Sequence, residues 1–407
     1  MPARTDQHPR SAITLTGSPQ RRPSRPWRGR RRGRRRAASR RIRLRRLAVI
    51  LVIVLAWPTW SVAQALTAPG TDTVAARLAE WARSHGFDWA ITGLEQAQYD
   101  LTQPATGGTV AGGIPTTSAQ DIGPGGHPTA SPAAVHVPPS LTPLAQPALA
   151  GEGVWRPLLR VGGRTAAAVA FVRPDTTHTS YLVAVVWMDP GALRFALHPG
   201  YQEPGPVPGV SDQIPASQRG SVLATFNAGF RMQDAQGGYW QNGHTLRRLV
   251  PGGASMVLTR SGGLSVQAWP GGAPGPGVVA VRQNLRLLID GGSISPLAAN
   301  PSTSVWGRTV GNKAYVWRSG IGTRSDGSVV FAVGPAMSVA SLAAVLSDAG
   351  AQEAMELDIN KDWTNFLTYA HPSTGTAVPR KLIASQVPNP YRYLQPSSRD
   401  FVAVLPH

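Results

Sequence analysis

The chain has 407 residues, no cysteine and a formal net charge of +19, which excludes disulfide staples, thiol chemistry and cysteine-ligated metal. Its 42% apolar content is that of a globular protein. The charge sits in one place: residues 1–46 hold 17 arginines and one acid, Asp6, so they account for +16 and leave about +3 for everything downstream. The basic character therefore belongs to a tail.

That tail is rich in Arg, Pro and Ser and has no apolar periodicity, so residues 1–46 are expected to be disordered. Its only aromatic residue is Trp27, and it directly precedes an apolar run, so nucleic acid is not the expected partner. Leu47–Ala56 is almost wholly Leu, Val, Ile and Ala, and the run continues through Trp57, Pro58 and Trp60 to Leu66. Arginines on its N-terminal flank leave the tail in the cytoplasm and send the rest across the membrane. Residues 47–66 read as a signal anchor with Pro58 inside it, giving a single-pass cell-membrane protein. The alternative is a signal peptide cut at Ala63-Gln64-Ala65, with a secreted product.

Residues 71–101 carry helical spacing: Val74, Leu78 and Trp81 in one piece, Trp89, Ile91 and Leu94 in a second, with Gly86 between. They predict a small juxtamembrane helical segment. Residues 102–150 turn to Pro, Gly, Ala and Thr with almost no charge, the composition of a linker.

From 151 to 407 the texture is short β-type runs between Gly and Pro turns. Strands are expected at about 166–172, 181–188, 192–197, 221–226, 255–259, 264–269, 284–289, 328–333, 355–360, 381–385 and 401–405. One helix is expected over 338–347, capped by Ser338 and stopped at Gly350. Without regular βα alternation, this predicts an α+β fold: a strand-rich single domain with a mixed or antiparallel sheet and few helices.

In Ala354–Asn360, Met355, Leu357 and Ile359 alternate with Glu356, Asp358 and Asn360. A strand would gather the two carboxylates and the amide on one face, which is either a solvated face or a site. Asn227 and Gly229 follow a strand and Asp290 precedes Gly291-Gly292, each a turn signal or a ligand contact. Arg308 follows Trp306-Gly307 and is either a surface arginine or a fork that grips a phosphate or carboxylate. There is no Gly-x-Ser-x-Gly, His-Glu-x-x-His, phosphate loop or dinucleotide fingerprint.

Taken in order, Ala-Thr-Phe-Asn-Ala-Gly-Phe (224–230), Gly-Gly-Tyr-Trp-Gln-Asn-Gly (237–243), Gln-Asn-Leu-Arg-Leu-Leu-Ile-Asp-Gly-Gly (283–292), Gly307-Arg308-Thr309, a Ser-Leu-Ala-Ala helix and Glu356-Leu357-Asp358 resemble the phosphodiester glycosidase family. The resemblance spans about 154–404. It implies an α+β, uncovering-enzyme-like domain hydrolysing a sugar-1-phosphodiester or related glycosidic bond in cell-envelope or exopolysaccharide glycans, with a glycan or sugar phosphate as partner. On it, Asp358 or Glu356 is the carboxylate at the anomeric carbon and Arg308 holds phosphate. Asn227, Gly229, Asp290 and Asn360 contact substrate. No cofactor is required and the metal ligands are unknown, a divalent cation between Glu356 and Asp358 being possible. The family's Gly-Gly-Gly-Ser run after the last aspartate stands here as Ile359-Asn360-Lys361-Asp362. A non-catalytic glycan-binding or scaffold protein of the envelope is the alternative.

Overall fold

The computed structural model describes residues 30–116, 120–121, 137–299, 303–306, 315–372, 377–386 and 389–407. Residues 1–29 of the tail, the middle of the expected linker and Arg308 lie outside the described residues. The chain divides into two compact units, 1–63 and 64–407.

Helix α1 (Arg30–Leu66) contains Pro58. Its segment Arg43–Leu66 has 24 residues and a mean hydropathy of 1.9, which at 1.5 Å per residue is about 36 Å, long and apolar enough to cross a membrane. Leu47, Val49, Ile50, Leu51 and Val52 are all exposed on it.

In the second unit, α2 (Val74–Ser84) starts where Thr73 Oγ1 accepts from the Ala76 amide at 3.1 Å, and α3 (Asp88–Leu101) follows the turn at Gly86. The pair is docked on the strand-rich body. Tyr201 Oη donates to the Pro69 carbonyl (3.0 Å) and Tyr99 Oη to that of Tyr315 (2.8 Å). Residues expected in the linker are also part of the fold: Ile114, Leu141 and Ala145 are buried, and the Leu141 amide donates to the Gly153 carbonyl at 2.9 Å. A few apolar side chains seat the ends of an otherwise polar and small-residue stretch.

The body is strand-rich. A nine-stranded sheet runs Gln120–Asp121, Arg156–Val161, Arg164–Val172, Val183–Met188, Val329–Met337, Val316–Arg324, Ala351–Asp358, Leu287–Asp290, Ser293–Ile294, antiparallel except for its first pair. Two five-stranded antiparallel sheets accompany it. One runs Leu264–Ala268, Ala254–Thr259, Val278–Gln283, Tyr239–Gln241, His244–Arg247; the other runs Val378–Lys381, Phe366–Ala370, Ala224–Asn227, Phe401–Pro406, Leu193–His198.

The middle strands of the large sheet are buried on both faces. One face takes the helix Val339–Asp348, where Ser338 and Ser341 cap each other reciprocally and Leu342, Val345 and Leu346 enter the core. Gly320 lets it approach, since a Cβ there would stand 3.0 Å from Leu346 and 3.1 Å from Leu342. On the other face Phe331 meets Phe226 and Phe366, with ring centres 5.0 and 5.4 Å apart.

This burial corrects two readings. The stretch Ala354–Asp358 has no solvated face: its strand, Ala351–Asp358, lies between Val316–Arg324 and Leu287–Asp290, and although Gln352 near its start is exposed, Glu356 and Asp358 are as buried as Met355 and Leu357. Residues 382–385 form turns, the strand being Val378–Lys381, which pairs with Phe366–Ala370.

Candidate active site

Strand register brings several candidate residues to one end of the sheets. Asp358 ends its strand opposite Ser319, and Asn227 ends its strand opposite Phe401. Asn227 joins the two sheets: its Nδ2 donates to Ser319 Oγ (3.0 Å), and its Oδ1 accepts from the Asn365 amide (3.1 Å). The residues just before Phe401, Arg399 and Asp400, therefore reach the same end.

Asp358 is 2% exposed. Its Oδ1 accepts from the Ile359 and Asn360 amides at 2.7 and 3.0 Å, while Oδ2 has no hydrogen-bond partner among the described residues. Burial pushes this carboxyl up to about 6, against the opposing charge of Arg399 and those two amides.

Glu356 lies two residues earlier on the strand but in a different setting. It is fully buried and paired with Arg318, also fully buried, whose Nε donates to the Met337 carbonyl at 2.9 Å. Burial pushes the Glu356 carboxyl up and Arg318 opposes it. Its charge is answered inside the core, which sets it apart from Asp358.

The other candidates divide. Asn360 is at the site, but its Oδ1 accepts from the Asp362 amide (2.9 Å) and its carbonyl from those of Trp363 and Thr364 (both 2.9 Å), so it shapes the loop after Asp358. Gly229 faces a buried guanidinium: a Cβ there would stand 2.8 Å from Arg282 Cζ. Arg282 donates to Asp400 Oδ2 (2.6 Å), the Gln283 carbonyl (2.6 Å) and the Phe230 carbonyl. Gly229→Ala would crowd this pair, and we expect a loss of about 1–3 kcal/mol in denaturant unfolding. Asp290 is exposed and pairs with Ser293; its neighbour Ile289 is in register with Ala354, and its charge acts on Glu353. Glu353 and Asp358 are five residues apart on one strand, about 16 Å, so Asp290 and Asp358 are not brought together.

Arg399, Asp400, Arg392 and Trp363 are additional residues at this end. Each guanidinium carbon of Arg392 and Arg399 lies 4.7 Å from the centre of the Trp363 ring. No motif marks them in sequence; the one signal is Arg399-Asp400 set immediately before the apolar run of the last strand. Among the described residues no group of three His, Cys, Asp or Glu side chains is placed to hold a metal ion.

Residues 216–358 match the family model described as phosphodiester glycosidase. No curated protein matches the chain. Among solved structures, the zebrafish N-acetylglucosamine-1-phosphodiester alpha-N-acetylglucosaminidase catalytic domain, auto-inhibited by its pro-peptide, is similar at 15% identity and a TM-score of 0.38, over 59% of this chain and 81% of that one. A hypothetical protein from Synechocystis is similar at 13% identity and a TM-score of 0.36, over 63% and 65%. An exported protein from Burkholderia pseudomallei is similar at 14% identity and a TM-score of 0.27, over 57% and 75%. These three are too remote to bear on the chemistry. The matched segment ends at Asp358 and contains Asn227, Gly229, Asp290 and Glu356, and across it the chain is similar to the phosphodiester glycosidase family.

Proposed function

We propose that the protein is a membrane-anchored, extracytoplasmic glycosidase that hydrolyses a sugar-1-phosphodiester in envelope or exopolysaccharide glycans, with Asp358 acting at the anomeric carbon. The observation that carries this reading is the state of Asp358: a buried carboxylate held by two loop amides through one oxygen, with its other oxygen unpartnered among the described residues and the Arg399 charge nearby. Bond cleavage at an anomeric carbon builds positive charge there, which such a carboxylate stabilises as nucleophile or as base for water. The bond from the anomeric carbon to the phosphate oxygen breaks and a phosphate monoester leaves, while water supplies the hydroxyl on the sugar and gives up its other proton to Asp358 or to the leaving phosphate.

Asn227 and Asn360 set the position of Asp358 and its loop on this reading, and Glu356 is a positioning residue neutralised by Arg318. The segment Arg43–Leu66 supplies the anchor, and the arginines before it support a cytoplasmic N-terminus. The amides following Asp358 are used by its own carboxylate, which favours the glycan-binding reading as the second choice.

The test is sugar release from a panel of sugar-1-phosphodiesters and matched aryl glycosides by the full chain in detergent. Release from the phosphodiesters is the expected result. Binding of a glycan without release from any substrate, by folded protein, would transfer the reading to the non-catalytic alternative.

A further inference from the structure

Two buried arginines share one aromatic ring at this end of the sheets. Arg392 and Arg399 are 5% and 8% exposed, and both stand over Trp363. Like charges so placed repel unless an anion lies between or beside them. The anions nearest the two guanidinium groups include Asp72, just before α2, and Glu80 within it, while Asp358, Glu203 and Asp400 also act on Arg399. Asp72 accepts from Arg392 Nη2 at 3.1 Å and from the Ser398 hydroxyl, and Glu80 Oε1 stands 4.0 Å from Arg399 Nη2, beyond hydrogen-bond reach.

These carboxylates do not use up the donors. Arg399 Nε and Nη1 and Arg392 Nε have no hydrogen-bond partner among the described residues. A buried guanidinium with idle N–H groups is costly, and its planar fork fits the several oxygens of a phosphate better than a single carboxylate can. Arg399 is also near enough to Asp358 to hold that carboxyl below the value burial alone would give. Both arginines lie beyond residue 358, outside the segment that matches the family model.

We propose that Arg392 and Arg399, standing on Trp363 beside Asp358, form the subsite for the substrate's phosphate, and that Asp72 and Glu80 hold that place in its absence. The inference rests on the phosphodiester reading for its choice of substrate. Substrate enters by exchanging its phosphate for the two carboxylates, so α2 and the residues just before it must move aside.

The experiment is calorimetric titration of the full chain in detergent with inorganic phosphate, alongside KM for a sugar-1-phosphodiester and for an uncharged aryl glycoside. Arg392→Gln and Arg399→Gln are each expected to weaken phosphate about tenfold or more. They should raise KM for the phosphodiester several times more than that for the aryl glycoside. The double variant D72N/E80Q should bind phosphate about tenfold more tightly, because the internal competitor is gone. If a buried Gln prevents folding, Arg392→Lys and Arg399→Lys keep the charge and lose the fork, and should weaken phosphate severalfold. Phosphate binding unchanged in folded arginine variants would overturn the subsite, as would D72N/E80Q weakening phosphate as much as they do. Phosphate bound at these arginines by a chain that cleaves no phosphodiester would overturn the functional reading and leave the anion site standing.

Discussion

Asp358→Asn is expected to reduce phosphodiester turnover by about a thousandfold or more, with KM changed little. The variant keeps the shape and the acceptor oxygen for the Ile359 and Asn360 amides but loses the negative charge proposed to act at the anomeric carbon. The pH profile gives an independent reading of the same group. With its carboxyl raised to about 6 by burial, the ionised form is scarce at pH 5, so wild-type kcat should be about tenfold lower there than on the plateau above pH 7. That acid limb should vanish from the residual activity of Asp358→Asn. Turnover within a few-fold of wild type in the folded variant would remove Asp358 from the chemistry.

Stability should respond in the opposite sense. The folded value of Asp358 lies above the ordinary 3.8, so the folded state holds this proton more tightly than the unfolded chain does. Its contribution to stability is present below about pH 4 and is lost as pH rises through about 6, by about 3 kcal/mol in all. Asp358→Asn should therefore flatten the wild-type decline between pH 4 and 6 in denaturant unfolding. A buried carboxyl that lowers stability at neutral pH when charged, set beside Arg399, has the character expected of a functional group.

Much of the scaffold was legible in the chain because apolar β-branched runs and turn residues report local structure directly. Arg164–Val172, Val183–Met188 and the Ser338-capped helix fall where periodicity places them. Val316–Arg324 did not show itself as a strand, although it is central, since Arg318, Gly320 and Gly322 interrupt its apolar pattern. Those residues are there for contacts that sequence cannot display: Gly320 for the helix above it, Gly322 for the close approach of Ala351 and Glu353, and Arg318 for Glu356. The site followed the same rule. Asn227 and Asp358 stand at strand ends that carry recognisable order, whereas Arg392 meets Asp72 and Arg399 nears Glu80 from more than 300 residues away, and no local pattern encodes those meetings.

Arg318→Met is expected to destabilise the fold by about 3–5 kcal/mol at pH 7.5, a cost that comes from the partner left behind. Arg318 and Glu356 are both fully buried and are bonded to each other, and removing one cation leaves a carboxylate in the core with no answering charge. Glu356 should then bind a proton on folding, so the deficit should shrink as pH falls toward 5, measured by denaturant unfolding of the full chain. The double variant R318M/E356Q removes both charges and should recover most of the loss, because a buried pair replaced as a unit costs far less than a pair broken. That variant also decides between the two carboxylates. If Glu356 serves only to position the strand that ends in Asp358, R318M/E356Q should keep turnover within about tenfold of wild type and keep the acid limb near pH 6, since that limb belongs to Asp358. A folded R318M/E356Q as inactive as Asp358→Asn would instead place Glu356 at the anomeric carbon, with Arg318 as the group that keeps it ionised.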